Sequence, residues 1–177
     1  NSGVSLTSGA ENMLIGSFAG DALTSGTRNI AIGYAALSTE DGNGLNTAIG
    51  YQALKVQNAG ANAENVAVGY NAGAAVTTGV QNTIIGGLAG DALTEGDNNI
   101  AIGYHSLSSE ILGDRSVAIG NFALQNQNNT SDTDVYNVAI GYDAGNDITT
   151  GTLNTIMGGL AGSALTTGEK NIAIGHN

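Results

Sequence analysis

The feature that most constrains this chain is a short unit that recurs from end to end. It starts at Asn12, Asn29, Asn46, Asn65, Asn82, Asn99, Ser116, Asn137, Asn154 and Asn171. The starts lie 17, 17, 19, 17, 17, 17, 21, 17 and 17 residues apart. A unit reads Asn, then Ile/Val/Thr, then a small or aliphatic residue, then Ile/Val, then Gly, as in Asn29-Ile30-Ala31-Ile32-Gly33. A longer period overlies the short one. The run Asn12 to Thr24 is echoed from Asn82 and again from Asn154, so four units make a super-repeat whose third unit is the long one. Both chain ends cut through the array and the first residue is Asn1, so the natural array is expected to be longer. Residues 1–177 read as one repeat domain.

A unit of 17 residues is too short for a helical pair, which needs about 33. Its β-branched core predicts a short strand, with the residues one and three after the Asn on one face. Gly then lets the chain turn or approach a neighbour closely. A second short strand is expected through Tyr51 to Leu54 and its counterparts, and a turn near Thr77-Thr78-Gly79. Ordering such a coil costs more than its few aliphatics return, so it cannot fold alone. Stacking coils in register pairs every strand above and below. The fold class expected is therefore all-β, a parallel β-solenoid of about ten coils, with the Ile/Val pairs forming a dry column. The recurring Asn (Asn12, Asn29, Asn46, Asn65, Asn82, Asn99, Asn137, Asn154 and Asn171) is expected to form a ladder, each amide bonding the next.

The residue two after the start is Ala in most units but Leu14, Ile84 and Ile156 in the first of each super-repeat. Those same units replace the usual Tyr with Ser17, Gly87 or Gly159. This trade suggests shared packing space, with the Ala face meeting another surface. A slim coil with 5% aromatics is a poor monomer and a good subunit of an oligomer.

Net charge is −11, with four Lys plus Arg against fifteen Asp plus Glu. That disfavours nucleic acid and anionic membrane surfaces, which both need clustered cations. No apolar run has the length of a membrane span. There is no Cys to build a disulfide or thiolate site.

Asn46-Thr47-Ala48-Ile49-Gly50-Tyr51-Gln52-Ala53-Leu54 resembles the head repeats of trimeric autotransporter adhesins (YadA-like heads) and similar repeats of phage tail-fibre proteins. The resemblance spans nearly the whole chain, although adhesin heads use a shorter unit. It implies a left-handed parallel β-roll, a homotrimer about one axis, and attachment to surfaces without catalysis or cofactor. The expected role is a segment of a virion tail fibre outside the cell. The alternative is an adhesin head on a bacterial outer surface. A host glycan or protein is the expected partner.

Candidate site residues follow from departures from the repeat. The long units supply Lys55, Gln57, Asn58 and Asn62, and Gln125, Asn126, Asn128, Asp132 and Tyr136, as receptor-contact loops on a rigid scaffold. His105 and His176 could each form a ring of three in a trimer and hold a metal ion. Glu95 with Asp97, and Asp132 with Asp134, are weak calcium candidates. No nucleophile and base recur together. An ice-binding face would need a regular row of Thr, whereas Thr47, Thr83 and Thr155 are interrupted by Ile, Met and Val. A polysaccharide-cleaving solenoid would need acids gathered on one face.

Overall fold

The structure is a computed structural model covering residues 1–177. Each unit contributes one three-residue strand: β1 (Met13–Ile15), β2 (Ile30–Ile32), β3 (Thr47–Ile49), β4 (Val66–Val68), β5 (Thr83–Ile85), β6 (Ile100–Ile102), β8 (Val117–Ile119), β10 (Val138–Ile140), β11 (Thr155–Met157) and β12 (Ile172–Ile174). They form one ten-stranded parallel sheet in chain order. Register is strict, so Ala101 of β6 sits beside Ile84 and Ala118. The chain is thus an all-β parallel solenoid of about ten coils. Two-residue strands β7 (Gly113–Asp114) and β9 (Thr133–Asp134) make a small second parallel pair.

The facing of the strand residues reverses the sequence expectation. The middle residue is buried and its two neighbours are half-exposed in nearly every coil. The core is built from that middle Ala, the second Ala of each unit and a Leu, as with Ala48, Ala53 and Leu54. The Ile/Val pairs lie on the outer face and form no dry column within one chain. The Ala face meets the coil's own interior, which is too narrow for more.

The volume trade is real but involves a different position. Leu14, Ile84 and Ile156 point inward in coils where the ninth residue is Gly20, Gly90 or Gly162. The coils before those of Ile84 and Ile156 also have Gly there, at Gly73 and Gly145, where a Cβ would meet the Ile Cδ1 at 2.9 to 3.0 Å. A Cβ on Gly20 would meet Leu14 Cδ2 at 2.7 Å. The Tyr that disappears in these coils stands outside the core, half exposed in the coils that keep it.

No second strand forms through Tyr51 to Leu54. Gln52 and Leu54 both adopt left-handed backbone, with φ of 56° and 47°, and the chain turns twice there. The residue before each Asn does the same, as at Arg28 and Gln81. The corner after each strand needs glycine outright. Gly103 has φ of 134°, and a Cβ there would lie 2.5 Å from the Gly120 carbonyl of the next coil.

The Asn ladder exists, but it runs mainly through backbone. Asn82 Oδ1 accepts the Asn99 N–H of the next coil at 2.9 Å, and Asn82 Nδ2 donates to the Gly96 carbonyl at 2.9 Å. Direct amide-to-amide bonds occur only at Asn154 to Asn137 and Asn171 to Asn154. The backbone ladder is more informative, because one carboxamide clips its own coil shut and docks the next.

Candidate functional site

Three exterior surfaces follow from this geometry. The first is the outer face of the ten-stranded sheet. The second and fourth residues of every unit point outward, and all twenty are Ile, Val, Met or Thr. None carries a charge in a chain with a net charge of −11. At about 4.8 Å per coil the stripe runs about 43 Å. Coils in the middle leave these residues half-buried, and Met13, Ile15, Ile85 and Met157 are exposed. Thr47, Thr83 and Thr155 stand singly in this stripe among aliphatics. A long uncharged stripe rich in exposed aliphatics marks an association surface.

The second surface lies just past the glycine corner. Seven of the eight Tyr and Phe residues fall on this one exterior stripe. Tyr34, Tyr51 and Tyr70 stack nearly coplanar, with ring centroids 5.2 and 5.4 Å apart. Phe18 caps the column edge-on at 5.7 Å. Gly87 interrupts it, and Tyr104, Phe122 and Tyr142 continue it edge-to-face. Strict stacking of coils places residues of the sixth position above one another, so Tyr repeats become a ring column. The sequence does carry this signal, as Tyr at one offset. Reading that Tyr as filler rather than exterior hid it.

The third surface comprises the long loops. Asn58, Asn62, Asn126, Asn128, Asp132 and Tyr136 are exposed, and Lys55 and Gln125 are half-buried. Asn62 Oδ1 accepts the Gly44 N–H at 3.1 Å, and Asn126 Nδ2 donates to Asn146 Oδ1 at 3.1 Å. Tyr136 lies under the Arg115 guanidinium, 5.8 Å from its ring centre, while Arg115 pairs with Asp134. Gln57 is a correction. It is fully buried, donating to the Thr77 carbonyl at 3.2 Å and accepting from Asn65 Nδ2 at 2.7 Å, so it cannot meet a partner.

The acids are arranged differently from the two pairs read in the sequence. Glu95, Asp97, Asp114 and Asp132 line one hollow of about 220 Å³ with Thr78 and Leu112. Asp134 is drawn off to Arg115. Two of the carboxylates serve the ladder, since Asp97 Oδ1 accepts the Val80 N–H and Asp114 Oδ1 accepts the Asp97 N–H. Burial pushes the Asp114 carboxyl up, helped by the charges of Asp97 and Asp132 and opposed by the Asp97 N–H bond and Arg115. No three His, Asp or Glu side chains are placed to hold one metal ion. His105 is half-buried, edge-on to Tyr104 at 4.4 Å and stacked on Phe122 at 6.1 Å. His176 is exposed in the last coil. Burial also raises the Asp91 carboxyl, and the nearby His105 opposes the shift.

Besides Gln57, three polar residues buried in the coil interior went unread in the sequence: Glu40, Glu110 and Gln127. All four stand at the twelfth position of their units, where other coils carry Leu23, Val76, Leu93 and Ile148. Aligning the units on their Asn brings these polar residues into an apolar column.

Comparison with family models, with curated proteins and with solved structures finds no match.

Proposed function

We propose that this chain is a structural and adhesive segment of a homotrimeric fibre, of the viral tail-fibre kind, that takes part in attachment to a cell surface. The observation that carries the reading is the uncharged outer sheet face. Three such stripes turned toward one axis bury each other and leave the acidic, polar sides of each coil in water. The sequence resemblance to tail-fibre and adhesin-head repeats supports the same arrangement. In this reading the role is mechanical rather than catalytic. The stacked coils supply stiffness, and the exposed loop residues Asn58, Asn126, Asn128 and Tyr136 offer amide and aromatic groups suited to a glycan or protein receptor. The bacterial adhesin head is the alternative, since it shares the repeat.

The test is binding of the labelled chain to bacterial cells, competed by unlabelled chain. The reading expects saturable binding that drops at least tenfold when Asn126, Asn128 and Tyr136 are changed together to Ala. Binding indifferent to those changes would remove the loops from the account. No binding to any surface would reduce the segment to a spacer.

A further inference from the structure

The two long coils each close over a buried polar cluster, and the clusters are built alike but completed differently. In the second, Glu110 has all its acceptor positions used. Its Oε1 accepts N–H groups of Ile111, Gly113 and Asn129 at 2.9 to 3.0 Å. Its Oε2 accepts Gln127 Nε2 at 2.8 Å and Asn129 Nδ2 at 2.9 Å. Gln127 Nε2 also reaches Ser116 Oγ at 2.9 Å. Ser116 is the one unit start that is not Asn.

In the first cluster Glu40 matches Glu110, Gln57 matches Gln127 and Asn46 matches Ser116. Glu40 Oε1 accepts the Asn43 N–H at 3.0 Å and Asn43 Nδ2 at 3.1 Å. Glu40 Oε2 has no partner, and neither does Asn46 Nδ2. Both residues are fully buried. Three differences go with this. Gln57 Nε2 turns to the Thr77 carbonyl at 3.2 Å, whereas its counterpart Gln127 Nε2 donates to Glu110 Oε2 at 2.8 Å. Ala59 stands where Asn129 supplies a donor in the second cluster. Asn46, at the start of a 19-residue unit, also lacks the bond to the carbonyl fourteen residues on that Asn29 Nδ2 makes with Asn43 O at 3.0 Å.

A carboxylate oxygen only accepts and a carboxamide nitrogen only donates. Leaving both unpaired in a dry interior costs about 1–3 kcal/mol each. We infer that the first cluster is an internal water-binding site, in which one water molecule donates to Glu40 Oε2 and accepts from Asn46 Nδ2. Water is the ligand whose chemistry fits, because one small molecule must donate to the carboxylate oxygen and accept from the carboxamide nitrogen. The second cluster needs no such water, because Gln127 Nε2 and Asn129 Nδ2 already donate to Glu110 Oε2 and Ser116 brings no carboxamide nitrogen.

Crystal structures of the chain and of Ala59→Asn test this. The parent should show one water 2.7–3.2 Å from both atoms. Ala59→Asn should lose that water, place the introduced carboxamide on Glu40 Oε2, and raise Tm by roughly 2–4 °C. Should that variant fail to fold, Asn129→Ala gives the reverse reading, with a new water on Glu110 Oε2 and a lower Tm. A direct bond between Asn46 Nδ2 and Glu40 Oε2 in the parent would overturn the inference. So would a cluster without water in the parent, or a Glu110 left without one in Asn129→Ala.

Discussion

Ala101 and Ile102 are neighbours in β6, yet they belong to opposite worlds. Ala101 is fully buried in the core cluster that also holds Ile84, Leu107 and Ala118. Ile102 stands half-exposed on the outer stripe with Ile85 and Ile119 on either side. The inner surface obeys a volume rule, in which the middle strand residue and the ninth residue share one narrow space. The outer surface obeys only a polarity rule, in which size and branching vary and charge never enters. One rule holds a coil together, and the other suits a surface that associates. In most strands the smaller side chain lies inside, because the interior of a 17-residue coil is shared with a Leu or Ile from elsewhere in the coil.

The sharpest way to break this comparison is to place the same charge on each face. Ala101→Asp buries a carboxylate with no partner and should cost more than about 4 kcal/mol, with loss of far-UV β signal. Ile102→Asp should leave that signal in place and lower the solution mass instead. If both variants unfold alike, the outer face is part of the single-chain fold and the distinction fails. Removing a clip comes next. Asn99→Ala strips the Gly113 carbonyl of a 2.9 Å donor and the Ser116 N–H of a 2.9 Å acceptor, both buried. Chemical denaturation should show a loss of about 3 kcal/mol.

The interior clusters offer a finer contrast. Glu110→Gln turns an acceptor of two side-chain donors into a donor and should destabilise by about 2 kcal/mol. Glu40→Gln should stabilise at neutral pH by about 1 kcal/mol, because it removes a buried charge that meets fewer protein donors than Glu110 does. Burial raises the Glu40 carboxyl above its ordinary 4.5, with the Asp41 charge adding to the rise and the Asn43 bonds opposing it. The folded state therefore binds this proton more tightly than the unfolded chain. Its contribution to stability is fullest below about 4.5 and is lost as pH rises through the elevated value. Thermal melts across pH should show that decline in the parent and a flatter profile in Glu40→Gln. A profile unchanged by the substitution would assign the slope to another group.

Much of the fold was legible because spacing survives folding. Ten glycines at one offset predicted corners, and Gly103 and its counterparts sit at corners. Facing was not legible. In Asn29-Ile30-Ala31-Ile32-Gly33 hydrophobicity argues for burying Ile30 and Ile32, and only the width of the closed coil argues for Ala31. The run from Tyr51 to Leu54 read as a strand because nothing local announces two left-handed residues at Gln52 and Leu54. These are imposed by the coils above and below, through bonds such as Gln52 N–H to Tyr34 O. Exposed loop residues such as Asn126 and Asn128 could be picked out as departures from the repeat. Gln57 departs from it equally and lies inside, because the position it holds in the coil, not its polarity, sets its direction.

The proposed fibre requires other copies of the chain to cover the outer stripe. Multi-angle light scattering of the purified chain at micromolar concentration measures that directly. The predicted mass is three times the 17.6 kDa of one chain, falling to one chain in Ile102→Asp. A single-chain mass for the unaltered protein, with its β signal intact, would contradict it.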